Sequence, residues 1–292
     1  MLGAILALVA SLCWATGANL YRSSMRSTSP TTLNLVRSMS AALVLFIFVE
    51  LLGKSGCFLL LDVNLIMYLI VASLVGWALG DTLYFVGLKW VGVSRAVPLA
   101  YSYPLFALPF SVLVLGERLT INIVLGSFAI IAAIWLISKA IRGDPYVTPR
   151  RSKLGVASSI GAALCWAVAV LMLKTMTAVL DPIFIAFFKI LAVTLFLACY
   201  RAFSPNGFSQ LRSLNAKELT MALTGGAIAV GLGDMIYFIG LSLTQANIVA
   251  PLSALTPKFA MLIDMFYSKK RPDLRTVIGA LLVVAGIVLL SY

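Results

Sequence analysis

Six ionisable side chains fall inside stretches that are otherwise apolar enough to lie in lipid: Arg37, Asp81, Lys189, Asp234, Lys258 and Asp264. Each costs about 2.5 to 3.5 kcal/mol at mid-bilayer if it faces lipid alone, so each belongs against a partner or a wet interior. The chemistry these residues offer is electrostatic: holding a charged solute, pairing across helices, or carrying a proton. Other chemistries lack their groups. The chain has no histidine, the commonest general base and a favoured metal ligand. It contains no Ser/His/Asp arrangement, no HExxH, no cysteine cluster and no Walker A loop, so neither a metal nor another cofactor is expected, and ATP is not a direct energy source on this chain.

Four of the six charges are related by a duplication. Displacing the sequence by 152 residues lays LCWA from Leu12 on LCWA from Leu164, Pro30 on Pro182 and Arg37 on Lys189. One extra residue enters before Gly80, and an offset of 153 then carries GDTLYFVGL (Gly80 to Leu88) onto GDMIYFIGL (Gly233 to Leu241), Pro98 onto Pro251, Pro104 onto Pro257 and Gly126 onto Gly279. Polar and helix-breaking residues match as well as apolar filler, which composition alone does not produce.

The elements that position these residues follow from hydropathy. With 62% hydrophobic and 11% charged residues, the chain departs far from the soluble average of roughly half apolar and a quarter charged. Apolar runs near the ~20 residues that cross the hydrocarbon as a helix occur at 2 to 21, 33 to 52, 66 to 88, 93 to 115, 121 to 139, 154 to 173, 183 to 200, 219 to 242, 246 to 267 and 274 to 291. The expected fold is an all-α integral membrane protein of ten transmembrane helices. It divides into a first five-helix repeat (1–141), a linker (142–153) and a second repeat (154–292). Five spans per repeat is an odd number, so the second copy enters the membrane from the opposite side and the repeats are inverted. Sixteen Lys and Arg fall in the connections after odd-numbered spans, against Lys54, Arg118 and Lys174 on the other side. The positive-inside bias then puts the linker in the cytoplasm and both termini outside. Topology accounts for the net charge of +12 without nucleic-acid binding. The first span lacks a basic n-region and aligns with an internal span, so it reads as a retained helix rather than a signal peptide. Cys13 and Cys165 are repeat equivalents, and packing is favoured over a disulfide.

Depth in the membrane suggests partners. Arg37 and Asp81 lie at similar depth toward one face, and Lys189 with Asp234 toward the other. Each pair is either a gate or coupling site or a structural bridge fixing helix register, and recurrence in both copies fits both readings. Lys258 breaks the symmetry, because its counterpart is Leu105. It follows Pro257 near the middle of its span, out of easy reach of either interface. It either contacts an anionic group of a substrate or pairs with Asp234 or another acid. Asp264, six residues on, points about 120° away around the helix. Spans 4 and 9 carry paired prolines, Pro98 and Pro104 against Pro251 and Pro257, and interrupted helices at matching positions in two halves point to a central site. Tyr101 and Tyr103 on span 4 and Ser253 and Thr256 on span 9 supply polar surface there, although three adjacent residues such as 101 to 103 cannot all face one cavity. Trp14 and Trp166 recur in both copies, as substrate contacts or as packing. Gly80, Gly87, Gly233 and Gly240 read as close-packing positions.

The two five-helix units, the ending LGERLT (Leu115 to Thr120), the following Gly126 and the tryptophan of span 1 together resemble the EamA family of the drug/metabolite transporter superfamily. The resemblance covers essentially the whole chain. It implies secondary transport, often efflux, of amino acids or similar small amphipathic solutes through a central cavity by alternating access. In the second half Lys269, Lys270 and Arg271 replace the glycine and glutamate of this pattern, so whatever Glu117 does is not repeated. The implied partners are a small-molecule substrate, the lipid of the cell membrane and a coupling proton or cation, with the protein a monomer or homodimer. A channel or a lipid-linked flippase using the same cavity is the alternative.

Overall fold

In lipid a backbone must satisfy its own N–H and C=O groups, which leaves a chain this apolar the choice of helix or closed barrel. Helix is the outcome: among the described residues of this computed structural model (1–20, 28–91, 93–138, 149–204, 209, 214–268 and 274–291) no strand occurs.

The helices are α1 (Leu2–Leu20), α2 (Pro30–Leu51), α3 (Val63–Val91), α4 (Val93–Ala100), α5 (Pro104–Leu115), α6 (Ile121–Ser138), α7 (Pro149–Met176), α8 (Pro182–Ala202), α9 (Ala216–Leu243), α10 (Ala246–Ser253), α11 (Thr256–Ser268) and α12 (Leu274–Ser291). Seven stretches are long and apolar enough to cross a membrane, with α4 and α5 counted together as Ala96–Leu115, and two shorter apolar helices lie at Ile121–Leu136 and Leu281–Leu290. α7 begins at Pro149, inside the segment expected to be a linker. Proline suits the first helical position, where its missing N–H has no partner to lose, and the basic residues after it carry the helix beyond the apolar run.

Helix starts repeat with the sequence. Ser29 caps α2 by accepting from the Thr32 amide at 3.3 Å, and Asp181 caps α8 by accepting from Ile183 at 2.9 Å; each is followed by proline. Asp62 caps α3 through the Leu65 amide at 2.7 Å, and Asn215 caps α9 in a reciprocal capping box with Glu218. Side-chain caps of this kind satisfy donors that the first helical turn leaves open.

Packing interleaves the two halves. α1 lies against α9, α10 and α11, whereas α7, its counterpart, lies against α3, α4 and α5. Of the remaining helices, α2 lies on α8 and α9, α8 also touches α3 and α9, and α6 lies on α12. Glycine permits the tightest crossings: a Cβ on Gly240 would stand 2.9 Å from the Gly3 carbonyl oxygen, and one on Gly87 2.2 Å from Ser159 Oγ. In lipid, where apolar surface gains nothing by leaving the solvent, such backbone approach supplies much of the packing energy. The result is two helix groups, α1 with α9 to α11 and α7 with α3 to α5, with α2 and α8 bridging them and the pair α6·α12 beside them.

Candidate functional site

The middle of α3 and the middle of α9 depart from α-helical winding. Residues Leu74–Gly80 and Ala227–Gly233 form π-helical segments, and each ends on the residue before an aspartate. A π segment adds a residue to the turn and re-aims the side chains beyond it, and such segments concentrate at functional sites. Here they present Asp81 and Asp234.

Each aspartate is held by two donors from two other helices. Asp81 pairs with the Arg37 guanidinium of α2 and accepts from Trp166 Nε1 of α7 at 2.9 Å. Asp234 pairs with the Lys189 ammonium of α8 and accepts from Trp14 Nε1 of α1 at 2.8 Å. Side-chain exposure is 8% for both members of the first pair, and 0% and 3% for Lys189 and Asp234. Charges so buried persist only when paired and further hydrogen-bonded. Arg37 Nε also donates to Asn34 Oδ1 at 3.0 Å, and Asn34 Nδ2 to the Trp77 carbonyl of the π segment at 2.9 Å. Lys189 sits 4.1 Å from the Trp77 ring centroid and 5.4 Å from that of Phe238, a cation–π arrangement. The indoles fit because the residue before each aspartate is glycine: a Cβ on Gly80 would lie 3.0 Å from Trp166 Cδ1, and one on Gly233 2.9 Å from Trp14 Cδ1.

The proline-bearing segments break at equivalent places. α4 contains Pro98 and ends at Ala100, and α5 resumes at Pro104; α10 contains Pro251 and ends at Ser253, and α11 resumes at Thr256, next to Pro257. Pro257 has no N–H for the Ser253 carbonyl, and Thr256 Oγ1 donates to that oxygen instead at 2.9 Å. The two breaks touch. Tyr103 hydroxyl donates to the Ala250 carbonyl at 3.0 Å and meets Ser253 Oγ, which itself donates to the Ala250 carbonyl at 2.9 Å. The buried Tyr237 hydroxyl stands beside those of Tyr103 and Ser253, outside strict hydrogen-bond geometry.

Aromatic lining is unequal on the two sides. Trp166 meets Tyr84, Tyr101 and Tyr103 at ring-centroid distances of 5.3, 5.5 and 6.2 Å. Trp14 meets Tyr237 at 5.1 Å, and the position equivalent to Tyr101 is Ala254. Lys258 lies buried in the first turn of α11, while Asp234, a partner considered for it, is taken by Lys189. The side chain of Asp264 lies outside the described residues.

Two contacts had no forerunner in the sequence pattern. The first is the indole bond to each aspartate, which a comparison of depth extended to tryptophan, rather than kept to charges, would have suggested. The second is Glu117. Its carboxylate accepts from the amides of Ala246 at 2.6 Å and Asn247 at 3.0 Å, the first two residues of α10, and Asn247 Nδ2 returns a bond to the Arg118 carbonyl at 3.1 Å. Beside it Lys174 donates to the carbonyls of Leu241 and, at 2.7 Å, Thr244 at the end of α9. Lys54 pairs with Asp181 at 2.8 Å near this same end of the bundle.

A family model for EamA-like transporters matches residues 1–139 and again 153–292. An uncharacterized transporter of Archaeoglobus fulgidus is 26% identical over 292 residues, which cover 99% of this chain and 98% of its own length. The uncharacterized transporter YvbV of Bacillus subtilis is 24% identical over 222 residues, 76% of this chain and 70% of its own. A crystal structure 21% identical in sequence superposes with a TM-score of 0.80 over 98% of this chain and 95% of that one, which shows a shared fold. With helices of spanning length, relatives named as transporters and a family match over nearly every residue, the chain belongs to the EamA-like transporter family of the drug/metabolite transporter superfamily and is a multi-pass membrane transport protein rather than an enzyme.

Proposed function

We propose that the protein is a secondary carrier for small amphipathic metabolites, amino acids or similar solutes, working by alternating access and exporting them across the cell membrane. In this reading α4 with α5 forms one span and α10 with α11 another. The chain then makes ten crossings in two inverted halves, with both termini outside. The moving parts are the two three-span groups, α1 with α9 to α11 and α7 with α3 to α5. The pair α6·α12 serves as the flank they rock against, while α2 and α8 stay joined to the groups through their ion pairs.

The observation that carries the proposal is where each bond sits relative to those groups. Trp14 to Asp234 and Trp166 to Asp81 lie inside a group, so they survive rocking. Tyr103 to Ser253 and Ala250 runs between the groups, at the two helix breaks, and is made of neutral hydroxyl contacts. Neutral hydrogen bonds have a net worth of only about 1 kcal/mol each, so this contact opens at low cost while the buried charges stay paired. Substrate binds at the breaks, where Tyr101, Tyr103, Ser253, Thr256, Trp14 and Trp166 provide hydroxyl and aromatic surface and Lys258 meets an anionic group. Arg37–Asp81 and Lys189–Asp234 tie each group to the flanking α2 and α8. They respond to a coupling proton or cation only if one partner is neutralised.

The test is a counterflow screen of amino acids, nucleosides and phosphorylated sugars in proteoliposomes, repeated with Lys258→Met. Saturable counterflow that weakens for anionic solutes in the variant supports the reading. Unchanged uptake of every transported compound removes Lys258 from the site, and non-saturable flux replaces the carrier with a channel.

A further inference from the structure

The groups that rock are joined at one end by a polar latch whose acidic member has no acidic counterpart in the second repeat. Glu117 follows α5 and Lys174 ends α7, so both belong to the group of α3 to α5 and α7. What they hold is the turn between α9 and α10, in the opposite group. Glu117 takes the amides of Ala246 and Asn247 at 2.6 and 3.0 Å, the Arg118 carbonyl takes Asn247 Nδ2 at 3.1 Å, and Lys174 takes the carbonyls of Leu241 and Thr244. A carboxylate on two open amides at a helix start is a charge-assisted arrangement, roughly twice as strong as its neutral counterpart. The contact is stronger than the hydroxyl bonds at the helix breaks.

By the repeat offsets the counterpart of Lys174 is Arg22 and that of Glu117 is Lys270. Arginine can donate to carbonyls as lysine does, but an ammonium has no acceptor for a backbone N–H. We infer that Glu117 is a positioning residue that latches its own end of the bundle, so that the substrate-free protein rests open toward the linker end. This deepens the carrier reading above and rests on it. With the linker in the cytoplasm, a resting state open to that side loads solute from the cell interior, the direction of an exporter.

The test uses the full chain in sealed liposomes, with Glu117→Ala and the milder Glu117→Gln, which keeps one carbonyl acceptor and guards against a folding failure of the first. Hydrogen exchange at the Ala246 and Asn247 amides is expected to rise about tenfold in Glu117→Ala and less in Glu117→Gln, while the Glu218 amide in the Asn215 capping box stays unchanged. In a background with the four native cysteines replaced by serine, Ser253→Cys places a thiol at the contact between groups. An impermeant maleimide added on the Glu117 side should label it about tenfold faster once Glu117 is Ala, and labelling from the linker side should be faster than from the Glu117 side while Glu117 is present. Faster exchange with unchanged labelling makes Glu117 a local cap and overturns the inference, as does equal labelling from both sides when Glu117 is intact. Neither readout needs a substrate, so a wild-type protein without counterflow would count against the carrier reading alone.

Discussion

Replacing Asp234 by asparagine removes one charge from the more deeply buried of the two aspartate pairs and keeps the shape and the acceptor for Trp14. Lys189, with 0% side-chain exposure, then holds an ammonium without its counter-ion. Breaking a buried pair in this way typically costs about 3 to 5 kcal/mol. The Trp77 and Phe238 faces, at 4.1 and 5.4 Å, contact Lys189 in wild type and variant alike and so cancel in the difference. The net expectation is a loss of about 3 to 5 kcal/mol, or roughly 6 to 20 °C in midpoint at the usual 2 to 4 °C per kcal/mol for a chain of this size class. The double variant Lys189→Met/Asp234→Asn has no charge left to strand and should return to within about 1 kcal/mol of wild type. Thermal unfolding in lipid nanodiscs of wild type, both singles and the double measures the cycle. A single variant as stable as wild type, or a double no better than the worse single, would refute the reasoning that the pair is held by mutual compensation. Counterflow by the double variant adds the functional answer: a pair that takes part in the cycle leaves it folded and inactive, and a purely structural bridge leaves it transporting.

Trp166→Phe keeps the ring against Tyr84 and Tyr101 but removes the N–H from a charged acceptor, so it should cost about 1.5 to 3 kcal/mol in the same unfolding assay. Gly226→Ala places a Cβ 2.3 Å from the Arg37 carbonyl oxygen, a backbone atom with little room to move, and should destabilise by about 1 to 3 kcal/mol or lower folded yield. Gly56→Ala, with nothing within 4 Å, is the matched control expected to show no loss. Lys54→Ala removes a partly exposed ion pair to Asp181 and should leave the midpoint unchanged at ordinary ionic strength.

Much of the layout was legible because lipid makes the sequence code coarse. Helix bounds follow hydropathy to within a few residues except at Pro149, where the helix outruns its apolar stretch on a proline start. The partners of Arg37 and Lys189 could be read because a charge in hydrocarbon needs an opposite charge at its own depth, and few are present. The breaks at 101–103 and 254–255 were marked by proline chemistry. Glu117 could not be read in the same way: its partners are backbone amides of a helix 129 residues away, and every residue but proline has an amide N–H. The π-helical winding before each aspartate left no mark in the sequence, since Leu74–Gly80 and Ala227–Gly233 read as ordinary apolar helix. The interleaving itself, α1 among the later helices and α7 among the earlier ones, is a packing outcome that a duplicated hydropathy profile does not contain.

Spin labels at Leu119 and Leu243, exposed positions on either side of the contact between the two three-span groups, report most directly on whether those groups move against each other. Distance distributions in liposomes should show two populations whose ratio changes when a solute identified by counterflow is added to saturation. A single distance, the same with and without that solute, would contradict alternating access by these groups.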